Sequence, residues 1–306
     1  MCYLPILILT LACGAEDQSE SVSLKTDTGT LAGVLDLPRK PGPWPVVLIH
    51  AGSGPTDKDG NNPLGSKTNA LKMLGAALTE RGIACLRIDK RGIGGSEKAM
   101  GKPEELRLET YVADAAAWLK FLRADKRFTK VGYVGHSEGS LIGTLAGQKE
   151  KLDAFVSLCG PGRRFSVIVR EQLKDQLPEG ARKPIEALIQ SLEAGKTIDD
   201  VPKELPMNVA LLFHKNAQQM LISLFKYDPA VEIGKLSCPV LVVSGTHDWQ
   251  MSEIEGKKLA AGAKGAKHVV VKGMSHVLKE TDKTDPVEQS KTVYQDLKAP
   301  VVSFYR

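Results

Sequence analysis

Ser137 sits between Gly135 and Gly139 in the run KVGYVGHSEGSLIG, residues 130–143, and so completes the pattern G-x-S-x-G. The residues before it are apolar and strand-like, and those after it read as a helix that starts at once. Such a turn brings the positions two before and two after the serine so close that a Cβ would clash, and glycine at both places relieves the crowding. The hydroxyl is thereby held clear of the sheet, with a helix N-terminus behind it that favours negative charge. This is the setting of a nucleophile, where an ordinary turn serine would need no such spacing.

A serine hydroxyl near neutral pH needs an adjacent base. Of the six histidines, His136 adjoins the serine but leaves the backbone in another direction, and so reads as structural. His50 ends a strand, His214 lies in a helical region, His268 begins a strand, and His247 stands beside a better acid candidate. His276, in GMSHVLK, follows the last apolar strand, at the end of the sheet where parallel α/β folds keep their sites. It is the expected base. The carboxylate that would orient the imidazole is expected at Asp248, directly after the strand CPVLVVSG, with Asp228, Asp282 and Asp285 as weaker rivals. An acyl-transfer reaction also needs donors for its oxyanion. The backbone N–H of Glu138, next to the serine, supplies one, and Ala51 in the loop HAGSG supplies the second, with Gly52 or Ser53 as its replacements.

Short apolar runs alternate with amphipathic stretches, the pattern of a mostly parallel sheet flanked by helices. Residues 22–38 read as two short strands forming an antiparallel edge. Strands are then expected at 45–52, 83–89, 130–136, 153–160, 238–245 and 267–273. Helices are expected at about 68–80, 109–124, 137–148, 252–261 and 285–298. Between about Pro161 and Leu236 no convincing strand occurs, only helical segments such as KPIEALIQSLEAG and NAQQMLISLF, so 161–236 reads as a helical insertion into a core formed by 22–160 and 237–306.

HAGSGPTDKDGN (50–61), RIDKRGIGGS (87–96) and GHSEGS (135–140), with the chain order Ser137, Asp248, His276, resemble the α/β-hydrolase superfamily over everything after the leader. The likeness is greatest to bacterial carboxylesterases grouped with the serine aminopeptidase-like hydrolases. It implies an α/β-hydrolase fold with a Ser-His-Asp triad and identifies the helical insertion with the family's variable cap.

Composition agrees with an ordinary folded body: 42% hydrophobic residues, 25% charged, and a formal net charge of +5 spread without a basic run. Nothing there asks for nucleic acid. The first residues, MCYLPILILTLACGAEDQSES, hold an apolar core from Leu4 to Ala12, too short for a bilayer span but suited to an export signal. TLAC at 10–13 is similar to a lipobox, although no Lys or Arg precedes the apolar run. The expectation is a leader and tether over 1–21, an exported protein, and Cys13 as a lipid acceptor that would tether it to a membrane. Cys85, Cys159 and Cys238 have no metal or disulfide spacing and read as packed thiols. TDKDGNN (56–62) lacks the glycine position and the final glutamate of a calcium loop, and RGIGGS lacks the following helix of a phosphate loop. No metal and no cofactor are expected.

The reaction implied is hydrolysis of a small-molecule carboxylic ester through an acyl-enzyme. Two other readings of the same residues are an aminopeptidase or acyl-aminopeptidase, for which Glu138 could meet a substrate amine, and a non-catalytic binding member of the fold.

Overall fold

The computed structural model describes residues 18–283, apart from 64–65, 175–176, 178, 200 and 202–204. Residues 1–17 of the expected leader and tether, with Cys2 and Cys13, and the expected last helix over about 285–298 lie outside the described residues.

In chain order the strands are β1 (Gln18–Thr26), β2 (Gly29–Leu37), β3 (Trp44–His50), β4 (Asn61–Asn62), β5 (Ser66–Lys67), β6 (Ala84–Ile88), β7 (Phe128–His136), β8 (Ala154–Leu158), β9 (Val240–His247) and β10 (Lys267–Ser275). The helices are α1 (Ala70–Thr79), α2 (Leu108–Ala124), α3 (Glu138–Lys149), α4 (Phe165–Lys174), α5 (Glu179–Glu193), α6 (Met207–Leu212), α7 (Lys215–Phe225), α8 (Pro229–Ile233) and α9 (Glu253–Gly262). Eight strands form one sheet in the order β1-β2-β6-β3-β7-β8-β9-β10. From β6 to β10 all neighbours are parallel, while β1 and β2 pair antiparallel at one edge. β1 begins at Gln18, inside the stretch read as a tether, and its side chains there are exposed.

The central strands are apolar without alternation because helices cover both faces. Along β3, Val46 and Leu48 join one core with Leu86, Tyr133 and Phe155 under α2 and α3, while Val47 and Ile49 join a second with Val134, Val156 and Leu241 against α1. Between β8 and β9 the described residues form only helices, α4 to α8, and these bury a third core of their own around Val169, Leu188, Ile189, Phe213 and Leu221. The strand order reverses on either side of β3, whose neighbours are β6 and β7. In open α/β sheets the crevice beyond the strand ends at such a point is where ligands bind.

Two boundaries differ from expectation for visible reasons. β10 does not stop at Gly273: the register slips between Val271 and Ser275, with Gly273 at φ 77, and pairing resumes at Ser275 opposite His247. Within and after RGIGGS, where no helix is expected, Gly94–Ala99 winds into a short 3-10 helix whose Ser96 hydroxyl donates to the Asp89 carbonyl at 2.8 Å.

Helix α3 lies close on β7 because glycine meets the sheet. A Cβ at Gly143 would stand 2.0 Å from a ring carbon of Tyr133, a fully buried side chain. The Gly143→Ala change gains about 1 kcal/mol of helix propensity, but overpacking against a fixed ring costs about 1–3 kcal/mol. We expect a net loss of stability, read as a lower urea midpoint at unchanged slope; an equal or higher midpoint would show that α3 can lift from the sheet.

Candidate active site

The C-terminal ends of β3, β7, β8, β9 and β10 deliver His50, Ser137, Cys159, Asp248 and His276 to one rim of the sheet. Ser137 has φ 54 and ψ −123, a conformation that side chains rarely adopt. Its N–H donates to the Leu158 carbonyl at 2.8 Å, and its own carbonyl accepts from Ser140 at 2.9 Å, so the turn is fixed from β8 and from the first turn of α3. Added Cβ atoms at Gly135 and Gly139 would lie 2.4 Å from the Gly139 carbonyl oxygen and 2.6 Å from the His50 carbonyl oxygen. One at Gly52 would lie 2.8 Å from the Ser137 Cβ. Three glycines therefore admit the turn.

His276 Nε2 is 3.1 Å from Ser137 Oγ, and its Nδ1 is 2.9 and 3.1 Å from the two carboxylate oxygens of Asp248. An ionised carboxylate only accepts, so Nδ1 carries the proton and Nε2 is left to accept from the serine. Asp248 also accepts the N–H groups of Gln250 at 2.9 Å and Met251 at 2.8 Å. Burial pushes its carboxyl up, but His276, the Met251 N–H and the Cys159 thiol outweigh it and hold the group low. Asp248 is thus ionised where its side chain has no exposed surface.

The other histidines and acids have separate tasks. His136 Nε2 donates to the His276 carbonyl at 2.7 Å and so fixes the backbone of the base. His50 Nδ1 donates to the Ala51 carbonyl at 2.9 Å. His247 Nδ1 donates to the Thr281 carbonyl at 2.6 Å, His268 lies 3.0 Å from the Ser244 hydroxyl, and His214 caps α7. Asp228 caps α8, Asp282 is exposed beside Lys283, and Asp285 lies outside the described residues. In the segment considered for calcium, Asp57 accepts the N–H groups of Asp59 and Asn61, and Asp59 pairs with Arg87.

Two cavities meet at Ser137. One, of about 260 Å³, has Gly52, Thr56, Asn62, His136, His276 and Val277 in its wall. The other, of about 160 Å³, lies between the core and the helical insertion, with Glu138, Leu141, Phe165, Leu224, Pro229 and Met251 in its wall. Ser53 and Gln250 border both. Ala51 is buried and lines neither cavity, whereas Gly52 and Ser53 reach the nucleophile.

Sequence reasoning missed two residues here. Lys90, buried to 4% exposure, donates from Nζ to the carbonyls of Gly52 and of Gly54, the latter at 2.9 Å, and stands 5.7 Å from the Tyr111 ring centre. Burial lowers its pKa and the nearby Glu138 raises it. The only sequence signal was a lysine inside RIDKRG where a strand leaves the sheet. Cys159, taken for a packed hydrophobe, has φ 51 and turns its thiol to Asp248; burial first and then that carboxylate push the thiol up. Among the described residues, Cys159, Asp248 and His276 form the one grouping of His, Cys and acid close enough to hold a metal, their ligand atoms within 4.8 Å of one another. Its His–Asp pair is already engaged.

The sheet order, the flanking helices and the strand-serine-helix turn define the α/β-hydrolase fold. A family model described as serine aminopeptidase, S33, matches residues 64–196. Esterase EstD of Thermotoga maritima is 27% identical over 274 residues, covering 87% of this chain and 62% of that protein, so the chain spans less than two thirds of that relative's length. Among solved structures, Est1E of Butyrivibrio proteoclasticus with bound ferulic acid superposes with TM-score 0.57 at 20% identity, over 88% of this chain and 96% of that one. The α/β hydrolase GrgF of Penicillium sp. sh18 gives TM-score 0.59 at 17% identity, over 85% and 91%. At these identities the two structures speak for the fold.

His50 is buried and His136 half-buried, and desolvation lowers each to about 4 from 6.5, with Lys90 adding to the effect at His50 and His276 at His136. Between those values the unfolded chain binds protons that the folded chain refuses, so stability falls as pH drops from about 6.5 to about 4. Each histidine contributes a loss of about 2 kcal/mol by pH 4.5. Urea unfolding at pH 7.5 and 4.5 reads this directly: the difference should shrink by about 2 kcal/mol in His136→Gln, and an unchanged difference would remove His136 as a cause.

Proposed function

We propose that the protein is a serine hydrolase of carboxylic esters, and the observation that carries this reading is the continuous hydrogen-bonded line from Asp248 through His276 to the Ser137 hydroxyl. Ser137 Oγ attacks the ester carbonyl carbon as its proton passes to His276 Nε2. The tetrahedral oxyanion collapses, the bond to the alcohol oxygen breaks, and His276 returns the proton to the departing alcohol. Water then repeats the sequence: its oxygen bonds to the acyl carbon as His276 takes its proton, the acyl–Ser137 bond breaks as His276 returns that proton to Ser137 Oγ, and the carboxylic acid leaves. Asp248 keeps the imidazole in the required tautomer and offsets its transient charge.

For the oxyanion, the Glu138 N–H at the start of α3 is one donor. For the second we favour Gly52 over Ala51, because a Cβ at Gly52 would touch the Ser137 Cβ and Ala51 lines neither cavity. Lys90 acts on this donor from behind. Its ammonium binds the carbonyls of Gly52 and Gly54, which sets the peptide planes of the loop and so the direction of their N–H groups.

Esterase EstD supports an ester in place of an amide. So does the neighbourhood of Glu138, where the Lys90 charge opposes the approach of a substrate ammonium.

A fluorophosphonate probe should label the folded protein at Ser137, and a short aryl ester should turn over faster than the matching aryl amide. Asp248→Asn should keep the fold and lower kcat by about 10³–10⁴. No adduct, or undiminished turnover in the Asp248→Asn protein, would sink the reading.

Lys90→Met removes both donors to the oxyanion loop while filling much of the same volume. Losing one oxyanion donor outright costs about 10²–10³ in rate, so misdirecting one should lower kcat by about 10–100 with little change in KM. A rise in KM at constant kcat would instead assign Lys90 to substrate binding.

A further inference from the structure

The two cavities beside Ser137 are unequal in chemistry. On the reading above, His276 must hand a proton to the leaving alcohol, so the alcohol departs on the side that His276 lines, the larger cavity. The acyl group then occupies the smaller one, which His276 does not line. That cavity, of about 160 Å³, has room for roughly five groups the size of a water molecule at ~30 Å³ each. Leu141, Pro161, Phe165, Leu224, Pro229 and Met251 make most of its wall apolar.

One ionisable group interrupts that wall. Glu138 is 8% exposed and lines the cavity, and among the described residues nothing donates a hydrogen bond to its carboxylate. Burial pushes its carboxyl up, and Lys90 pulls it back down. Its oxygens are not among the sealed-off polar atoms, so they face the cavity and are open to a ligand. An apolar side chain would suit an aliphatic acyl group better at that place. Glu138 and Ser137 line the same cavity, so with the acyl group placed there a donor that meets the carboxylate belongs to the acyl part of the substrate. Lys90 already supplies the positive charge, bound to the Gly52 and Gly54 carbonyls, which leaves Glu138 short of a donor and not of a cation.

We propose that Glu138 is a specificity residue that selects short acyl groups bearing a hydroxyl, which donates to its carboxylate inside the smaller cavity. This assignment rests on the ester-hydrolase reading and names its substrate class as short hydroxyacyl esters.

The test compares the 4-nitrophenyl esters of butyrate, 2-hydroxybutyrate, 3-hydroxybutyrate and 3-aminobutyrate, each corrected for its rate with hydroxide alone. A site built to pair with a substrate hydroxyl discriminates strongly against the analogue that lacks it. At least one hydroxybutyrate should exceed butyrate in kcat/KM by about ten-fold or more. That preference should collapse toward unity in Glu138→Leu and persist in part in Glu138→Gln, whose amide oxygen still accepts. Because the preference is a ratio within one sample, it does not depend on how much of a variant folds. Butyrate equal to or better than both hydroxy esters, a preference for the amino ester, or a ratio untouched in Glu138→Leu would each overturn the proposal while leaving an ester hydrolase. Absence of turnover on all four esters, with no fluorophosphonate adduct on the wild type, would overturn the hydrolase reading and this one with it.

Discussion

The site depends on one strained residue. Ser137, with φ 54 and ψ −123, holds a conformation that costs on the order of 1–3 kcal/mol and lasts only where the surroundings determine it more than once. Three constraints do so. β8 takes its N–H, α3 starts from its carbonyl, and the glycines at 52, 135 and 139 let three pieces of backbone approach to distances that a Cβ would forbid. A relaxed serine would swing its hydroxyl away from the rim, and His276, fixed from elsewhere, could not follow it. The base is held by His136 at its carbonyl and by Asp248 at its ring, and the loop beyond it by Ser275 bonding to Lys279. Each partner is placed independently, which is why three residues distant in the chain meet within hydrogen-bond distance.

A buried charge organises the opposite wall. The end of β6 and the loop after it carry Arg87, Asp89, Lys90 and Arg91, all nearly inaccessible to solvent. Arg87 pairs with Asp36 and Asp59, Arg91 forms a two-pronged contact with Asp114, and Asp89 accepts from the N–H groups of Lys58 and Gly95. These pairs offset the cost of burying ions that, left alone, would be strongly destabilising. Among the described residues Lys90 has no such carboxylate in hydrogen-bond contact; it is met by two carbonyls, an aromatic face and the field of Glu138. The loop that faces the nucleophile is thus shaped from the protein side before any substrate arrives, which is the kind of preorganisation that stabilises a transition state.

Much of this was legible in the residues alone, and the misses have a common cause. Strands β3, β6, β7, β8 and β9 follow from apolar runs because burial on both faces leaves no other pattern, and α1 and α2 follow from helical spacing. Ser137, His276 and Asp248 were accessible because each follows a strand, and the parallel sheet brings strand ends together. Lys90 and Cys159 escaped, since what defines them is an approach between β6 and the loop after β3, or between β8 and the loop after β9. No local pattern records that. The choice among Ala51, Gly52 and Ser53 stays open in sequence for the same reason: adjacent residues on a tight loop point to opposite sides. The slip in β10 at Gly273 likewise reads, in sequence, as an ending.

The helical insertion divides the labour differently from the sheet. It has its own apolar core, and its entry is clamped where Glu255 of α9 accepts the N–H groups of Gly162 and Arg163 and pairs with the Arg163 guanidinium, which also grips Glu171 of α4. Phe165, Leu224 and Pro229 reach from it into the smaller cavity, while Ser137, Asp248 and His276 come from the sheet rim. Changes to the insertion can therefore reshape the cavity without moving Ser137, His276 or Asp248. Glu138 does not share that freedom. Its backbone stands at the nucleophile and its side chain in the cavity, so the residue that would recognise the acyl group also forms the first turn of the helix behind the serine. On the proposed reading, selection at that position is tied to the chemistry itself, whereas the apolar wall can vary with the helical insertion.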